Sequence, residues 1–303
     1  MNRRRYRGEA DVDLLQEFNA NAIRETDGCG FVHPGDIAHR LFNGNKLLDP
    51  ADVLTIWEDG RGVAAWVLVS PRHAGFDAQV RPDLRSMEFE TEVLTFAEIE
   101  TMNLMRSHGV EKRVLDGEAY RCDEFRSARL VELGWTPTGE EPWVLNRIRL
   151  GRTPEPQIPD GYSIRAVLGV EEAGPVSEVH AASFGSTWTA EMYRKVMESP
   201  GYPPDREFVV EAPNGTLAAF TVTWHDTVTR TGLFEPVGTH EACRRLGLGK
   251  ALLLHAMSEM ARAGMEYATV VNEGTNEASR DLYRSVGFEP WHLLDGYAKP
   301  IID

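Results

Sequence analysis

The stretch Arg244-Arg-Leu-Gly-Leu-Gly-Lys250 sets two glycines and three cations directly ahead of an apolar run. Gly247 and Gly249 let a backbone approach a ligand with no Cβ in the way. Arg244, Arg245 and Lys250 add charge-assisted contacts. A turn that opens a helix also presents unpaired N–H groups at the positive end of the helix dipole, so the ligand such a segment fits is a phosphate. Rival glycine-loop patterns fit less well. A dinucleotide fingerprint needs a small residue where Leu252 stands, and a P-loop needs glycine at 244 and a hydroxyl where Ala251 stands. A plain strand-to-helix connection is the remaining alternative.

The flanking elements suit such a grip. Residues 232–239 read as a buried strand leading in. Leu252, Leu253, Ala256, Met257, Met260 and Ala261 repeat with helical period, and Gly264 stands where a C-cap belongs. After a further strand at 266–272 comes Asn276-Glu-Ala-Ser279-Arg-Asp-Leu282-Tyr283-Arg-Ser-Val-Gly287-Phe288.

Here the chain resembles the GNAT superfamily of N-acetyltransferases. Arg244, Gly247 and Gly249 match its Arg/Gln-x-x-Gly-x-Gly/Ala signature. Asn276, Leu282, Tyr283, Gly287 and Phe288 match a second one, with Ser279 where alanine is usual. The likeness covers residues 160–303 well. It implies acetyl-CoA as co-substrate and no metal. The amides of Arg244–Lys250, Leu248 among them, would hold the pyrophosphate, and Val237 and Thr239 would pair with the pantetheine arm. Asn276 and Ser279 would contact the cofactor, and Tyr283 would protonate the departing thiolate.

Acetyl transfer to an alkyl amine requires removal of a proton from nitrogen, which a nearby carboxylate or histidine can accept. Glu235, in Leu233-Phe-Glu-Pro-Val237, is the first candidate, since alternation sets it on the face of Val237 and Thr239. Pro236 beside it hints at a bulge that would upset that alternation, and a carboxylate held by a structural partner is the competing reading. His225 and Asp226 end the preceding strand and are candidates for the acceptor pocket, with His240 a further one; each has the plainer alternative of a turn residue. Tyr283 has the alternative of an aromatic packed on the sheet.

The chain also repeats. Both halves read as a hairpin, then a helix closing on glycine, with 49 positions from Gly60 to Gly109 and from Gly215 to Gly264. Ser127-Ala-Arg-Leu-Val-Glu-Leu-Gly-Trp135 echoes Arg280-Asp-Leu-Tyr-Arg-Ser-Val-Gly-Phe288. A proline-rich stretch at 151–160 separates them. The expected architecture is α/β: two tandem GNAT-like domains, each a mixed, mostly antiparallel sheet flanked by helices. Residues 1–150 form a degenerate copy, 151–160 a linker and 161–303 the catalytic copy. Aligning the halves puts Phe89-Glu-Thr-Glu-Val-Leu94 under the phosphate turn, Asp123 under Asn276 and Leu130 under Tyr283. Carboxylates would repel a pyrophosphate, so the first copy is expected to lack the cofactor.

A net charge of −15 argues against nucleic-acid or anionic-membrane partners and is compatible with a cationic amine. No apolar run approaches the span of a bilayer. Cys29, Cys122 and Cys243 are an odd set without a Cys-x-x-Cys pair, read as reduced thiols in a cytoplasm. The function these features point to is an acetyl-CoA-dependent N-acetyltransferase acting on a small-molecule or peptide amine in a ternary complex. The alternative is a non-catalytic acyl-CoA sensor or scaffold that keeps the fold.

Overall fold

A computed structural model of the chain describes residues 1–45 and 47–301. They form two compact units. One is Met1–Val144 with Glu273–Thr275 and His292–Asp303; the other is Leu145–Asn272 with Asn276–Trp291.

In the first unit, β1 (Asn2–Arg5) is followed by α1 (Glu9–Thr26), α2 (Pro34–Ala38), a π-helical turn His39–Gly44 and α3 (Pro50–Val53). Then come β2 (Leu54–Asp59), β3 (Gly62–Ser70) and β4 (Gly75–Val80), with all neighbours in the order β1-β2-β3-β4 antiparallel. α4 (Met87–Ser107), β5 (Val114–Tyr120), α5 (Glu124–Glu132) and β6 (Thr136–Pro137) complete this half of the sequence. α4 buries Phe89, Val93, Leu94, Ala97 and Met105 against Ala65, Val67 and Val69 of β3. Helical period meets strand alternation there, and each supplies one apolar face.

The second half repeats this order. β7 (Trp143–Arg149) and an irregular proline-rich stretch precede β8 (Ser163–Ala166), α6 (Ala173–Phe184) and α7 (Ala190–Met197). β9 (Glu207–Glu211), β10 (Leu217–Asp226) and β11 (Thr231–Thr239) are antiparallel neighbours. α8 (Leu248–Arg262) then crosses over to β12 (Tyr267–Asn272), which runs parallel to β11. A parallel neighbour needs such a crossover. α9 (Glu277–Ser285) and β13 (Glu289–Pro300) end the chain. Two tandem α/β units with mixed, mostly antiparallel sheets are the result.

The units do not divide at a single point of the sequence. β7 from the first half lies beside β12. In β13, Leu294–Pro300 pairs antiparallel with Tyr120–Val114 of β5, inside the first unit. A strand ladder is satisfied by any edge of the right pattern, and a duplicated fold offers two alike.

One expectation is corrected. Cys29 and Cys122, read as separate reduced thiols, are joined as a disulfide with Cα atoms 6.1 Å apart, and Cys243 stays free. The pair spans 93 positions, and only the fold brings the loop after α1 to the β5–α5 connection. Among the described residues, no helix is long and apolar enough to cross a membrane.

Candidate active site

The phosphate-type turn stands between β11 and α8, as its spacing implies. Gly247 is the N-cap of α8 with φ 81°, a left-handed conformation that favours glycine. It carries no side-chain cap, so the first N–H groups of α8, beginning with Leu248, remain available to a ligand. Gly249 is required for a different reason. A Cβ there would lie 3.3 Å from both Leu282 and Thr239 Oγ1, so its bare backbone lets α9 and β11 close around the turn. The Leu248 side chain is 1% exposed and belongs to the core, leaving only its backbone to the site.

Arg245 and Lys250 are exposed, and Arg245 itself adopts φ 65°. Arg244 does more than face solvent. Its Nη2 donates to Ser183 O at 2.8 Å, tying the turn to the last residues of α6. Sequence reasoning missed Ser183 as a partner. The acceptor is a backbone carbonyl, which side-chain identity does not reveal.

β11 carries three of the candidates, Glu235, Val237 and Thr239. Thr221 pairs with Val237 and Thr223 with Phe234, so Glu235 and Pro236 together oppose Val222 in a bulge. Two side chains hold it: Trp224 Nε1 donates to Glu235 O at 2.7 Å, and Thr221 Oγ1 donates to Pro236 O at 2.9 Å. Past the bulge the burial pattern still alternates, with Glu235, Val237 and Thr239 half-buried and Pro236 and Gly238 buried. The register with β12 joins Thr231–Phe234 to Tyr267–Val270. Glu235 thus stands where that pairing ends, four residues and about 13 Å along the strand from Thr239.

Tyr283 is 6% exposed and packs edge-on against Phe288, which packs against Phe234. No hydrogen-bond partner for its hydroxyl occurs among the described residues. Burial, with the negative charge of Glu235 adding to it, holds the phenol above its ordinary range. The base and acid candidates therefore share one electrostatic neighbourhood around Phe234. Asn276 caps α9, its Oδ1 accepting from Ser279 N at 3.0 Å, and Leu282 of the same helix packs beside Gly249 of the turn.

Two of the remaining candidates, His225 and Asp226, sit at the β10–β11 turn. Asp226 accepts from Val228 N, Thr229 N and Thr229 Oγ1, and so organises the β10–β11 turn. His225 lies opposite Gly232 with Nε2 at 3.4 Å from Thr223 Oγ1. Both are at the end of β11 away from the phosphate-type turn. His240 opens the turn, its Nδ1 accepting from Ala242 N at 3.1 Å.

Residues 175–288 match the Acetyltransferase (GNAT) family. A mycothiol acetyltransferase from Saccharomonospora viridis is 25% identical, over 93% of this chain and 94% of its own length. Another, from Segniliparus rotundus, is 31% identical over 45% of this chain, a match spanning 54% of that relative. Two solved structures share the fold at TM-score 0.66. One is a GCN5-related N-acetyltransferase from Sphaerobacter thermophilus, 20% identical, covering 100% of this chain and 97% of its own. The other is a tandem GNAT protein from the clavulanic acid biosynthesis pathway, 16% identical, covering 99% of this chain and 98% of its own.

Proposed function

We propose that the second unit, which matches the acetyltransferase (GNAT) family over residues 175–288, transfers an acetyl group from acetyl-CoA to a primary amine in a ternary complex. The observation that carries this reading is the uncapped glycine N-terminus of α8 standing one strand-length from the Glu235–Tyr283 pair. The first N–H groups of α8, with Arg245 and Lys250, fit a pyrophosphate. Val237 and Thr239 offer the strand along which the pantetheine arm lies, and Asn276 and Ser279 border it. Acetyl-CoA supplies the acyl group as a thioester.

Glu235 takes the proton from the ammonium, freeing the lone pair that attacks the acyl carbon. Tyr283, kept protonated by its buried setting, gives its proton to the sulfur as the carbon–sulfur bond breaks. The net change is ammonium plus thioester to amide, free thiol and one proton. His225 and Asp226 hold the outer end of this strand pair, and acceptor contacts there would come from His225, since Asp226 serves the turn.

The acceptor is an amine on a small molecule or a peptide. The relatives' name makes the amine precursor of mycothiol the first to try. In this reading the first unit, residues 1–150 in the main, holds no acetyl-CoA, and the second does so without a metal. The cytoplasmic location read from the cysteines belongs to the same proposal, with Cys29–Cys122 then a reversible bond.

The test is calorimetry of the full chain with acetyl-CoA, followed by a panel of amines assayed for free CoA. One site per chain and turnover of at least one amine support the proposal. Binding without turnover of any amine or peptide would favour the sensor reading. Absence of binding, or binding unchanged by Gly249→Val, would overturn the assignment of the turn.

A further inference from the structure

The disulfide of the first unit has a neighbour that acetyl transfer does not use. Cys29 lies half-buried in the loop after α1, where Asp27, Gly28 and Gly30 all have positive φ. Cys122 is exposed in the β5–α5 connection. His292, on β13, presents Nδ1 to Cys122 Sγ at 3.6 Å and places Nε2 2.9 Å from Asp27 O. A carbonyl only accepts, so Nε2 carries the proton. In the neutral ring, that leaves the Nδ1 lone pair facing sulfur. The Tyr120 ring, 5.8 Å away and edge-on, fixes the imidazole from the side. The nearby charges are paired among themselves: Arg121 with Asp295, and Asp123 with Arg85.

Thiol, base and orienting carbonyl in this order form the arrangement that activates a cysteine. We propose that Cys29, Cys122 and His292 form a thiol–disulfide exchange site for a low-molecular-weight thiol and its disulfide, and that the bond is a reversible staple on the first unit. For closing, His292 Nδ1 takes the proton of the Cys122 thiol, and the thiolate attacks the external disulfide. One external thiolate leaves, and Cys29, as thiolate, then attacks Cys122 Sγ and expels the second. The protein loses two thiols, and one external disulfide becomes two thiols. For opening, the external thiolate attacks the exposed Cys122 Sγ, the electron pair of the broken bond leaves on Cys29, and a second external thiol completes the exchange.

The staple joins segments that other bonds also hold. Gln79 Nε2 donates to Gly30 O at 3.1 Å and Tyr120 OH to Phe31 O at 3.1 Å. Opening the bond therefore loosens the first unit without releasing the loop.

The test uses the full chain equilibrated in buffers from mostly reduced to mostly oxidised glutathione, with thiols counted by alkylation after denaturation. The expected result is three reactive thiols at the reducing end and one, Cys243, at the oxidising end. Melting should rise on the order of 10 °C on oxidation. Glutathione should be trapped on Cys122 in Cys29→Ser at least about tenfold more than on Cys29 in Cys122→Ser. In reduced protein at neutral pH, His292→Phe and His292→Gln should each slow alkylation of Cys122 roughly tenfold, while Cys243 reports an unchanged fold by its unchanged rate. Three thiols at both extremes, equal trapping on the two cysteines, or an unaltered Cys122 rate in both His292 variants would each overturn the proposal.

Discussion

α4 and α8 occupy the same place in the two repeats, each following the last strand of a three-stranded meander, yet their N-termini are finished in opposite ways. α8 begins at Gly247 with no side-chain cap and exposed Arg245 and Lys250 beside it. α4 begins at Ser86, whose Oγ accepts from Phe89 N at 3.2 Å. Glu90, in the first turn and 0% exposed, is bound by Arg85 at 3.1 Å and by Arg126. Asp123, the N-cap of α5, holds Arg85 at 2.9 Å, where the second unit has the neutral Asn276 as N-cap of α9. The first unit thus supplies its own anions where the second leaves room for one from outside. The gap between strands differs as well. β11 and β12 are paired along Thr231–Phe234, whereas β4 and β5 are bridged at their far ends by Gly30 and Phe31 through Gln79 and Tyr120. A fold can retain a ligand's position and fill it with itself.

The sharpest way to break this comparison is Arg85→Ala. It should cost about 3–5 kcal/mol in chemical denaturation, because Asp123 and Glu90 lose a buried partner. Acetyl-CoA affinity should stay within about twofold of its starting value, since the helix terminus concerned is not the one proposed to bind it. A gain of a second acetyl-CoA per chain would break the comparison, because Glu90 and Asp123 are still present in the variant.

The second unit also buries a carboxylate, Glu207, at 0% exposure, but with Tyr193 and Tyr202 hydroxyls as donors instead of guanidinium groups. Burial pushes its carboxyl up to about 7, against the lowering effect of those two hydrogen bonds. The folded state then holds a proton that the unfolded chain, titrating near 4.5, has released. Its stabilising contribution is full below that value and is lost as pH rises through about 7. Between pH 5 and 8 the wild type should lose roughly 3 kcal/mol that Glu207→Gln does not, as read from urea melts at each pH.

Tyr283→Phe should lower kcat about 100-fold with little change in the KM for acetyl-CoA, because only the proposed proton donor is removed. The alkaline limb of the wild-type rate profile should lie above the ordinary phenol range, from the burial and the Glu235 charge that raise it. A smaller effect is expected at the turn. Arg244→Ala should weaken acetyl-CoA binding roughly tenfold, through loss of one charge-assisted contact and of the Ser183 tie. If Arg85→Ala weakened binding as much, the two termini would not differ in the way described.

Much of the fold was legible beforehand. The hairpins, the helix after the glycine turn and the strand that follows all rest on local periodicity and turn chemistry. Gly247 reads as a place where the backbone must do without a Cβ, and its φ of 81° is a second reason for glycine that the structure adds. Asp226 could be read from the sequence as a pocket residue or a turn residue, and the structure shows it accepting from Val228 N and Thr229 N in an Asx-type turn. Glu235 was placed by strand alternation, with Pro236 as a warning, and the bulge behind that warning depends on Trp224 and Thr221 from the neighbouring strand.

By itself, the sequence pointed to a glycine-rich turn opening a helix, inside a stretch that matches the GNAT family over residues 175–288, in a duplicated α/β chain. Those properties follow from interactions within a few turns or strands, where spacing is geometry. The tertiary structure alone decided that the last strand returns to β5, that Cys29 reaches Cys122, and that Glu90 meets Arg85 and Arg126 at the other helix terminus. Each of these except Arg85–Glu90 joins positions dozens of residues apart, and even that short pair required α4 to bury the carboxylate. Chain proximity in space is set by packing of whole elements, which no local pattern encodes.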